Sequence, residues 1–186
     1  PWSGSLDPGF AEWEPRVRLG LKLPHNWALN FGAGRQVQYV HRLRAPQTIF
    51  PNEFWQIATD ARQPAIADQV YGGFARSFPA AGLFISAEVF TQRFGRLTET
   101  DPLLTSANSS VGDLINGVLT DGKGTSRGLE VYLDWQHDRW DVSLAYTLAK
   151  TDRQFPELND GEVFPFTFDR RHDIALSGTY RLPRTG

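Results

Sequence analysis

The stretch Gly124-Thr125-Ser126-Arg127-Gly128 matches the G-x-S-x-G pattern of serine hydrolases. In those enzymes the serine sits on a strained turn between a strand and a helix. Here the residues that follow alternate between apolar and polar side chains, which is typical of a strand, and no acid–histidine pair with a recognisable signature comes later. We therefore expect no hydrolase, and we interpret the glycines as the entry from a loop into a strand.

Metal and cofactor sites are not expected either. The histidines His25, His41, His137 and His172 are scattered, without the i,i+4 spacing of a metal-binding helix, and the 186 residues include no cysteine. The net charge of −2 comes without any block of lysine or arginine. A nucleic-acid partner is therefore not expected, because such partners are held mainly through phosphate neutralisation.

The positioning elements are predicted from alternation with a period of two, which marks strands that have one apolar and one polar face. Aromatic residues make up 13% of the chain, beside 17 Gly and 12 Pro, a composition that suits strands separated by turns. We predict about seven strands and interpret 52–61 as at most a short helical turn in a loop. The strands are expected near residues 17–23, 27–38, 66–78, 83–98, 125–137, 140–148 and 174–182.

The predicted connections alternate strictly between short and long. Short connections are predicted at 24–26, 79–82 and 137–139, and long ones at 41–64, 99–124 and 154–168. Outer-membrane β-barrels have this asymmetry, with short periplasmic turns and long extracellular loops. No apolar run approaches the roughly 20 residues of a transmembrane helix, so a helical membrane protein is not expected.

A group of aromatic residues supports the same interpretation. They lie within a few residues of the short connections, where we expect one ring of aromatic side chains at a membrane interface. The apolar run 140–148 would rise about 20 Å if tilted by about 45°, near the height of the apolar band of such barrels. The predicted interface aromatics are Trp27, Phe78, Trp135, Trp140 and Tyr180.

Several motifs, taken together in their order and spacing, resemble TonB-dependent outer-membrane receptors. They are Glu14-Pro15-Arg16-Val17-x-Leu19 with Asn26-Trp27-x-Leu29, Gly122-x-Gly124-x-x-x-Gly128-Leu129-Glu130, Ser143-Leu144-Ala145-Tyr146-Thr147-Leu148 and Phe164-Pro165-x-x-x-Asp169-Arg170-Arg171-His172-Asp173.

The resemblance implies a 22-stranded barrel around an N-terminal plug, which imports a scarce ligand with energy delivered by TonB. The sequence has nothing like a plug, a TonB box or a closing strand. We therefore expect residues 1–186 to be a partial barrel domain, from the C-terminal part of such a receptor.

Two groups of residues are candidates for binding. We expect the long connections to capture the ligand, because loops on a rigid scaffold are where binding residues concentrate; alternatively their aromatics pack the loops on one another. A charge cluster at a loop end either contacts ligand or lipopolysaccharide through arginine or forms an ion-pair network that locks a loop to the wall. The loop aromatics are Phe50, Phe54, Trp55, Phe164 and Phe166, and the charge cluster is Asp169, Arg170, Arg171, His172 and Asp173.

The expected function is therefore part of an active transporter in the outer membrane of a Gram-negative-type bacterium. Its partners would be outer-membrane lipid, TonB and a small ligand: an iron–siderophore complex, cobalamin, an oligosaccharide or a peptide. No catalytic residue and no cofactor are expected. Two other interpretations stay open, a soluble β-sandwich that serves as a binding or adhesion module, and a passive porin, whose polar lumen face would look similar.

Overall fold

A computed structural model describes residues 11–45, 52–59, 63–100 and 119–183. These residues form ten strands and two short 3-10 turns, and they include no α-helix. The strands are β1 (Arg16–Leu23), β2 (Trp27–Gln38), β3 (Val40–Ala45), β4 (Asn52–Ile57), β5 (Ala65–Phe78), β6 (Leu83–Thr100), β7 (Leu119–His137), β8 (Trp140–Gln154), β9 (Phe164–Pro165) and β10 (His172–Tyr180).

The long strands form one antiparallel sheet in the order β1-β2-β5-β6-β7-β8-β10, and β9 pairs with β8 beside this path. The sheet is not closed, so β1 and β10 are its two edges. The all-β antiparallel architecture predicted from alternation is confirmed, and so are the seven strands of the path. A separate two-stranded sheet, β3–β4, is inserted between β2 and β5.

All three short connections lie at one end of the sheet. Residues 24–26 join β1 to β2, the 3-10 turn Pro79–Ala81 with Gly82 joins β5 to β6, and residues 138–139 join β7 to β8. Backbone hydrogen bonds connect neighbouring turns, from Ser77 N to Asn26 O at 3.1 Å and from Gln136 N to Gly82 O at 2.8 Å. We call this the turn end of the sheet, and the opposite one the loop end.

The long connections hold more regular structure than the sequence predicts. The helical turn predicted for 52–61 is wrong, because Asn52–Ile57 is the strand β4 and pairs along its whole length with β3. The loop predicted for 99–124 is shorter, since β6 continues to Thr100 and β7 begins at Leu119. The glycine-rich start of β7 gives no alternation signal, but it pairs with β6 from Leu119 and with β8 from Lys123, and these ladders satisfy backbone groups.

The predicted loop 154–168 is also partly ordered. Phe155 bridges to Leu158, a 3-10 turn follows at Asn159–Gly161, and β9 returns to pair with β8. Phe155 is fully buried and lies against Gly122, where an added Cβ would come within 2.3 Å of its ring. A buried aromatic thus fixes the turn to the sheet.

Candidate functional site: the two faces and the loop end of the sheet

The strand register assigns every side chain to one of two faces, because directly opposed residues of antiparallel strands point to the same side. One continuous row runs Leu21, Leu29, Phe74, Ala87, Val131, Tyr146, Ile174. Its neighbour towards the loop end runs Leu19, Phe31, Gly72, Val89, Leu129, Leu148, His172. Leu129, Val131, Leu133, Trp140, Val142 and Leu144 share this face, as alternation predicts.

We call this surface the apolar band. It extends over all seven strands of the path, and its side chains are exposed or half-buried: Val89 on the interior strand β6 retains 58% of its accessible surface, and Leu176 on the edge strand β10 retains 74%. Single exposed apolar residues are ordinary, whereas a contiguous apolar surface of this extent marks contact with another apolar phase or partner. The band consists of Val17, Leu19, Leu21, Leu23, Leu29, Phe31, Val70, Phe74, Ile85, Ala87, Val89, Leu129, Val131, Leu133, Val142, Leu144, Tyr146, Leu148, Ile174 and Leu176.

The five predicted interface aromatics all lie on the band's face at the turn end. Trp140 opposes Tyr180, with ring centroids 4.7 Å apart, and Phe78 and Trp135 both oppose Leu83. On β2, Trp27 packs on Phe74 with centroids 5.6 Å apart. The register therefore brings residues from five strands to one margin of the apolar band.

Arg76 fills the remaining space at this margin. Its guanidinium lies 4.9 Å from the centroid of Trp27 and 4.3 Å from that of Phe78. An arginine between aromatic faces at the end of an apolar surface is held by cation–π attraction while its apolar stem packs against the rings.

The opposite face is mixed, with small and polar residues beside the aromatic side chains of Tyr71, Phe84, Phe90, Phe94 and Tyr132. Gly32 opposes Tyr71, whose ring covers it so closely that an added Cβ would come within 2.3 Å. Glu88 directly opposes Glu130, two like charges on neighbouring strands. Ser126, the serine of the G-x-S-x-G match, lies inside β7 and is 2.9 Å from the Thr151 hydroxyl of β8, oxygen to oxygen. It is thus part of a strand ladder and does not occupy a strand-to-helix turn.

Charged residues replace the apolar ones at the loop end of the band. The row after Val17, Ala33, Val70 and Thr91 continues with Arg127 and Lys150. The next row runs Arg35, Asp68, Arg93, Thr125, Asp152. We use the name charged margin for Arg127, Lys150 and the five residues of this second row.

Ion pairs neutralise part of the charged margin. Arg35 donates two hydrogen bonds to Asp68, Nε to Oδ1 at 2.7 Å and Nη2 to Oδ2 at 3.0 Å. The hydrogen bond from Arg35 holds the pKa of the Asp68 carboxyl below its ordinary value, and Asp68 in turn raises the pKa of Arg35. Lys150 pairs with Asp152 at 2.8 Å.

A cavity of about 240 Å³ opens at the same end, lined among others by Arg93, Thr125, Asp152 and Arg153. Arg153 pairs with Glu99 at 2.7 Å, and its guanidinium lies 3.6 Å from the centroid of the Phe166 ring. Burial lowers the pKa of Arg153, an effect that the ion pair with Glu99 opposes.

The predicted loop aromatics are distributed over three places. Phe50 lies outside the described residues. Phe54 and Trp55 lie on β4, not in an irregular loop, and Trp55 is 66% exposed. Phe164 on β9 packs against Phe155 at 6.2 Å between centroids, and Phe166 contacts Phe168 edge-on at 5.4 Å. Trp55 therefore faces solvent, whereas Phe164 and Phe166 pack on neighbouring rings.

The charge cluster leads into β10 and makes mostly local contacts. Asp169 Oδ1 accepts a hydrogen bond from the backbone N–H of Thr151 at 2.8 Å, and Arg171 lies 3.6 Å from the Asp169 carboxylate. His172 Nδ1 is 2.9 Å from the Tyr146 hydroxyl, and Asp173 opposes Thr147. Arg170 is exposed. These contacts attach the segment to β8.

Sequence reasoning missed the charged margin. The available signal was the polar residue that ends each apolar run at the loop end, such as Arg127 before Leu129 and Lys150 after Leu148. Whether these residues meet across strands depends on the register, which the sequence alone leaves open.

Within the described ranges, no three His, Asp or Glu side chains come together in a way that could hold a metal ion. In the same part of the chain, no helix is long and apolar enough to cross a membrane. Comparison with known protein families, with curated proteins and with solved structures returns no match.

Proposed function

We propose that this chain is a segment of the wall of an outer-membrane β-barrel transporter of the TonB-dependent receptor type. The single observation that carries the proposal is the apolar band, exposed across seven paired strands and bounded by aromatics at the turn end and charges at the loop end. Such barrels carry an outward apolar band of about 25 Å between interfacial girdles. In the proposed setting, lipid covers the band.

The polar face supports the same proposal. Behind the apolar band, hydrophilic residues lie among aromatic ones, and they include Asn30, Gln69, Gln92 and the opposed Glu88 and Glu130. In a soluble sandwich, a second sheet would bury the apolar face. Within the part of the chain that the structure describes, the other sheet is β3–β4, six residues in each strand, and it leaves the apolar band exposed.

The open edges also fit a wall segment. β1 and β10 end the sheet, and every residue of both strands is exposed. Unpaired strand edges cannot lie in hydrocarbon, because their backbone N–H and C=O groups would lack partners. The proposal therefore pairs both edges with further strands of the same barrel.

Transport follows from the resemblance stated above and from the position of the loop end. The turn end is assigned to the periplasm and the loop end to the outside, where the β3–β4 hairpin with its exposed Trp55 would meet a scarce ligand. The ligand class is an iron–siderophore complex, cobalamin, an oligosaccharide or a peptide, imported with energy from TonB.

The orientation can be tested by cysteine labelling, since these 186 residues contain no cysteine of their own. Asp160→Cys lies in the exposed turn before β9, and Asp138→Cys in the β7–β8 turn. On intact cells that make the complete protein, a membrane-impermeant maleimide should label Asp160→Cys at once. It should label Asp138→Cys only after the outer membrane has been permeabilised.

Two results would contradict the membrane assignment. One is labelling of both sites on intact cells. The other is that neither site is labelled before lysis and the protein is found in the soluble fraction. Active transport is tested separately, by uptake of a panel of ferric siderophores, cobalamin, oligosaccharides and peptides with and without TonB. Uptake that is lost without TonB supports the receptor, whereas uptake that continues unchanged indicates a passive porin.

A further inference from the structure

Four residues on β6 and β7 form a polar square on the face of the apolar band. Thr91 opposes Arg127, and Arg93 opposes Thr125, so the two arginines are diagonal neighbours and the two threonines occupy the other corners. Diagonal Cβ atoms on neighbouring strands lie about 7–8 Å apart, within reach of two arginine side chains that converge on one group. All four residues are exposed.

The acids nearest to this square are bound by other cations, although the charge of Arg93 also lowers the pKa of Asp68. Asp68 opposes Arg93 but is held by both donors of Arg35, and Asp152 opposes Thr125 but pairs with Lys150. Among the described residues, neither Arg93 nor Arg127 forms a hydrogen bond or an ion pair. Within the described part of the chain, the square therefore presents two guanidinium groups and two hydroxyls with no carboxylate hydrogen-bonded to them.

The square directly adjoins the apolar band. The next row towards the turn end pairs Val89 with Leu129, and Val89 is 58% exposed. On the other side lies the cavity of about 240 Å³, which Arg93 and Thr125 help to line. A molecule that fits this surface has an apolar part for Val89 and Leu129 and, immediately beyond it, an anionic oxygen-rich group.

We infer that the polar square binds the phosphate headgroup of a lipid whose acyl chains lie on the apolar band. The inference rests on the proposed function, which places the band in hydrocarbon. Guanidinium groups bind phosphate oxygens through two parallel hydrogen bonds, and threonine hydroxyls can donate one more each. The lipid assignment comes from the continuity of the square with the apolar band, since a free phosphate would leave Val89 and Leu129 uncovered.

The test is native mass spectrometry of the complete protein in a neutral detergent, titrated with phosphatidylglycerol or phosphatidylcholine. Arg93→Gln combined with Arg127→Gln should weaken binding of phosphatidylglycerol about tenfold, because both charge-assisted contacts are lost. The matched control combines Arg18→Gln with Lys22→Gln, which changes the charge equally on the opposite face of β1 and should leave that binding unchanged. Phosphatidylcholine, whose headgroup is neutral overall, should bind equally to all three proteins.

A second variant guards against misfolding of the first. Arg93→Lys with Arg127→Lys keeps both charges but loses the planar fork, so its binding of phosphatidylglycerol should be intermediate. Unchanged binding in the glutamine and lysine variants, or an equal loss in the Arg18/Lys22 control, would overturn the inference. Binding of inorganic phosphate as tightly as phosphatidylglycerol would also overturn it, since the acyl chains would then contribute nothing to recognition.

A vesicle experiment separates the inference from the proposed function. The complete protein should float with phosphatidylcholine vesicles whether or not the square is intact. Flotation without any preference of the square for phosphatidylglycerol defeats the inference alone. Absence of flotation with any vesicle defeats the proposed function, and the lipid site with it.

Discussion

Arg35 of β2 and Asp68 of β5 lie directly opposite each other and are joined by two hydrogen bonds of 2.7 Å and 3.0 Å, although 33 residues separate them in the sequence. Between them the chain forms the β3–β4 hairpin. The pair closes the base of this insertion, at the point where the apolar band gives way to the charged margin. It thereby joins, at the loop end, two strands that no short turn connects.

We expect Asp68→Asn to make stability depend less on pH. Because Arg35 lowers the pKa of Asp68 in the folded protein, the pair stabilises the fold above the carboxyl's ordinary pKa, and this contribution is lost as the pH falls through the folded value. We measure the free energy of unfolding by urea for the complete protein in lipid vesicles. At neutral pH this free energy should be slightly larger for wild type than for Asp68→Asn, since the pair is exposed. The difference should vanish in acid. Asp160→Asn, in an exposed turn, is the control and should show no such pH-dependent difference.

Leu144→Arg should be far more costly than Ser143→Arg. The two residues are adjacent on β8, but Leu144 lies on the apolar band and Ser143 on the polar face, opposite Asp134. An arginine on the lipid-facing side costs up to about 2–4 kcal/mol, the value at the bilayer midplane, whereas one on the lumen side meets water and a carboxylate. Unfolding free energies of the complete protein in lipid measure the difference. A cost below about 0.5 kcal/mol for Leu144→Arg would show that this side chain does not face hydrocarbon.

Three glycines separate the cost of backbone strain from the cost of steric clash. Gly82 has φ +60°, and a Cβ there would lie 1.8 Å from the carbonyl oxygen of Gln136. Gly161 has φ +76° with its nearest atom at 3.6 Å, and Gly178 has neither a positive φ nor an atom within 4 Å. The left-handed conformation costs a non-glycine residue about 1–2 kcal/mol, so Gly161→Ala should destabilise by about that amount and Gly82→Ala by more.

Gly178→Ala should change the unfolding free energy least of the three. All are measured by unfolding of the complete protein, with correct insertion checked by labelling of Asp160→Cys. Equal costs at Gly82 and Gly161 would mean that the β5–β6 turn moves away from Gln136 at little expense. In that case the turn does not rigidly fix the β6–β7 register.

Trp55→Ala should reduce ligand binding to whole cells. Trp55 is an exposed aromatic on the β3–β4 hairpin at the loop end, and removing its ring takes away a large contact surface without opening a packed core. The control is Trp140→Ala, which removes an equally large ring, 51% exposed, at the turn end. Unchanged affinity in Trp55→Ala, with normal surface expression, would exclude this residue from the ligand site.

The alternation of side chains determined a large part of this structure. It predicted the seven strands of the path, their antiparallel order across the short turns, and the shared face of Leu129, Leu133 and Leu144. It could do so because successive side chains of a strand point to opposite faces, so the sequence of one strand is enough to assign its apolar and polar faces.

Short or glycine-rich strands were beyond this reasoning. β4 is six residues long and β9 only two, too few for a periodic pattern to stand out from chance. The start of β7, with Gly122, Gly124 and Gly128, has few side chains that could alternate. These segments are strands because their backbone groups form hydrogen bonds with neighbouring strands. Only the tertiary structure brings those strands together.

The charged margin and the polar square show the same division. The sequence shows Arg35, Asp68, Arg93 and Arg127 near the ends of apolar runs, but it does not show which of them meet. Only the register across strands makes an ion pair of the first two and leaves the other two as diagonal neighbours. Alternation determines which face of the sheet a residue occupies. Which residue it opposes on the neighbouring strand depends on the turn lengths and on the irregularity between Phe94 and Leu97. A shift of one residue there would change every residue pair beyond it.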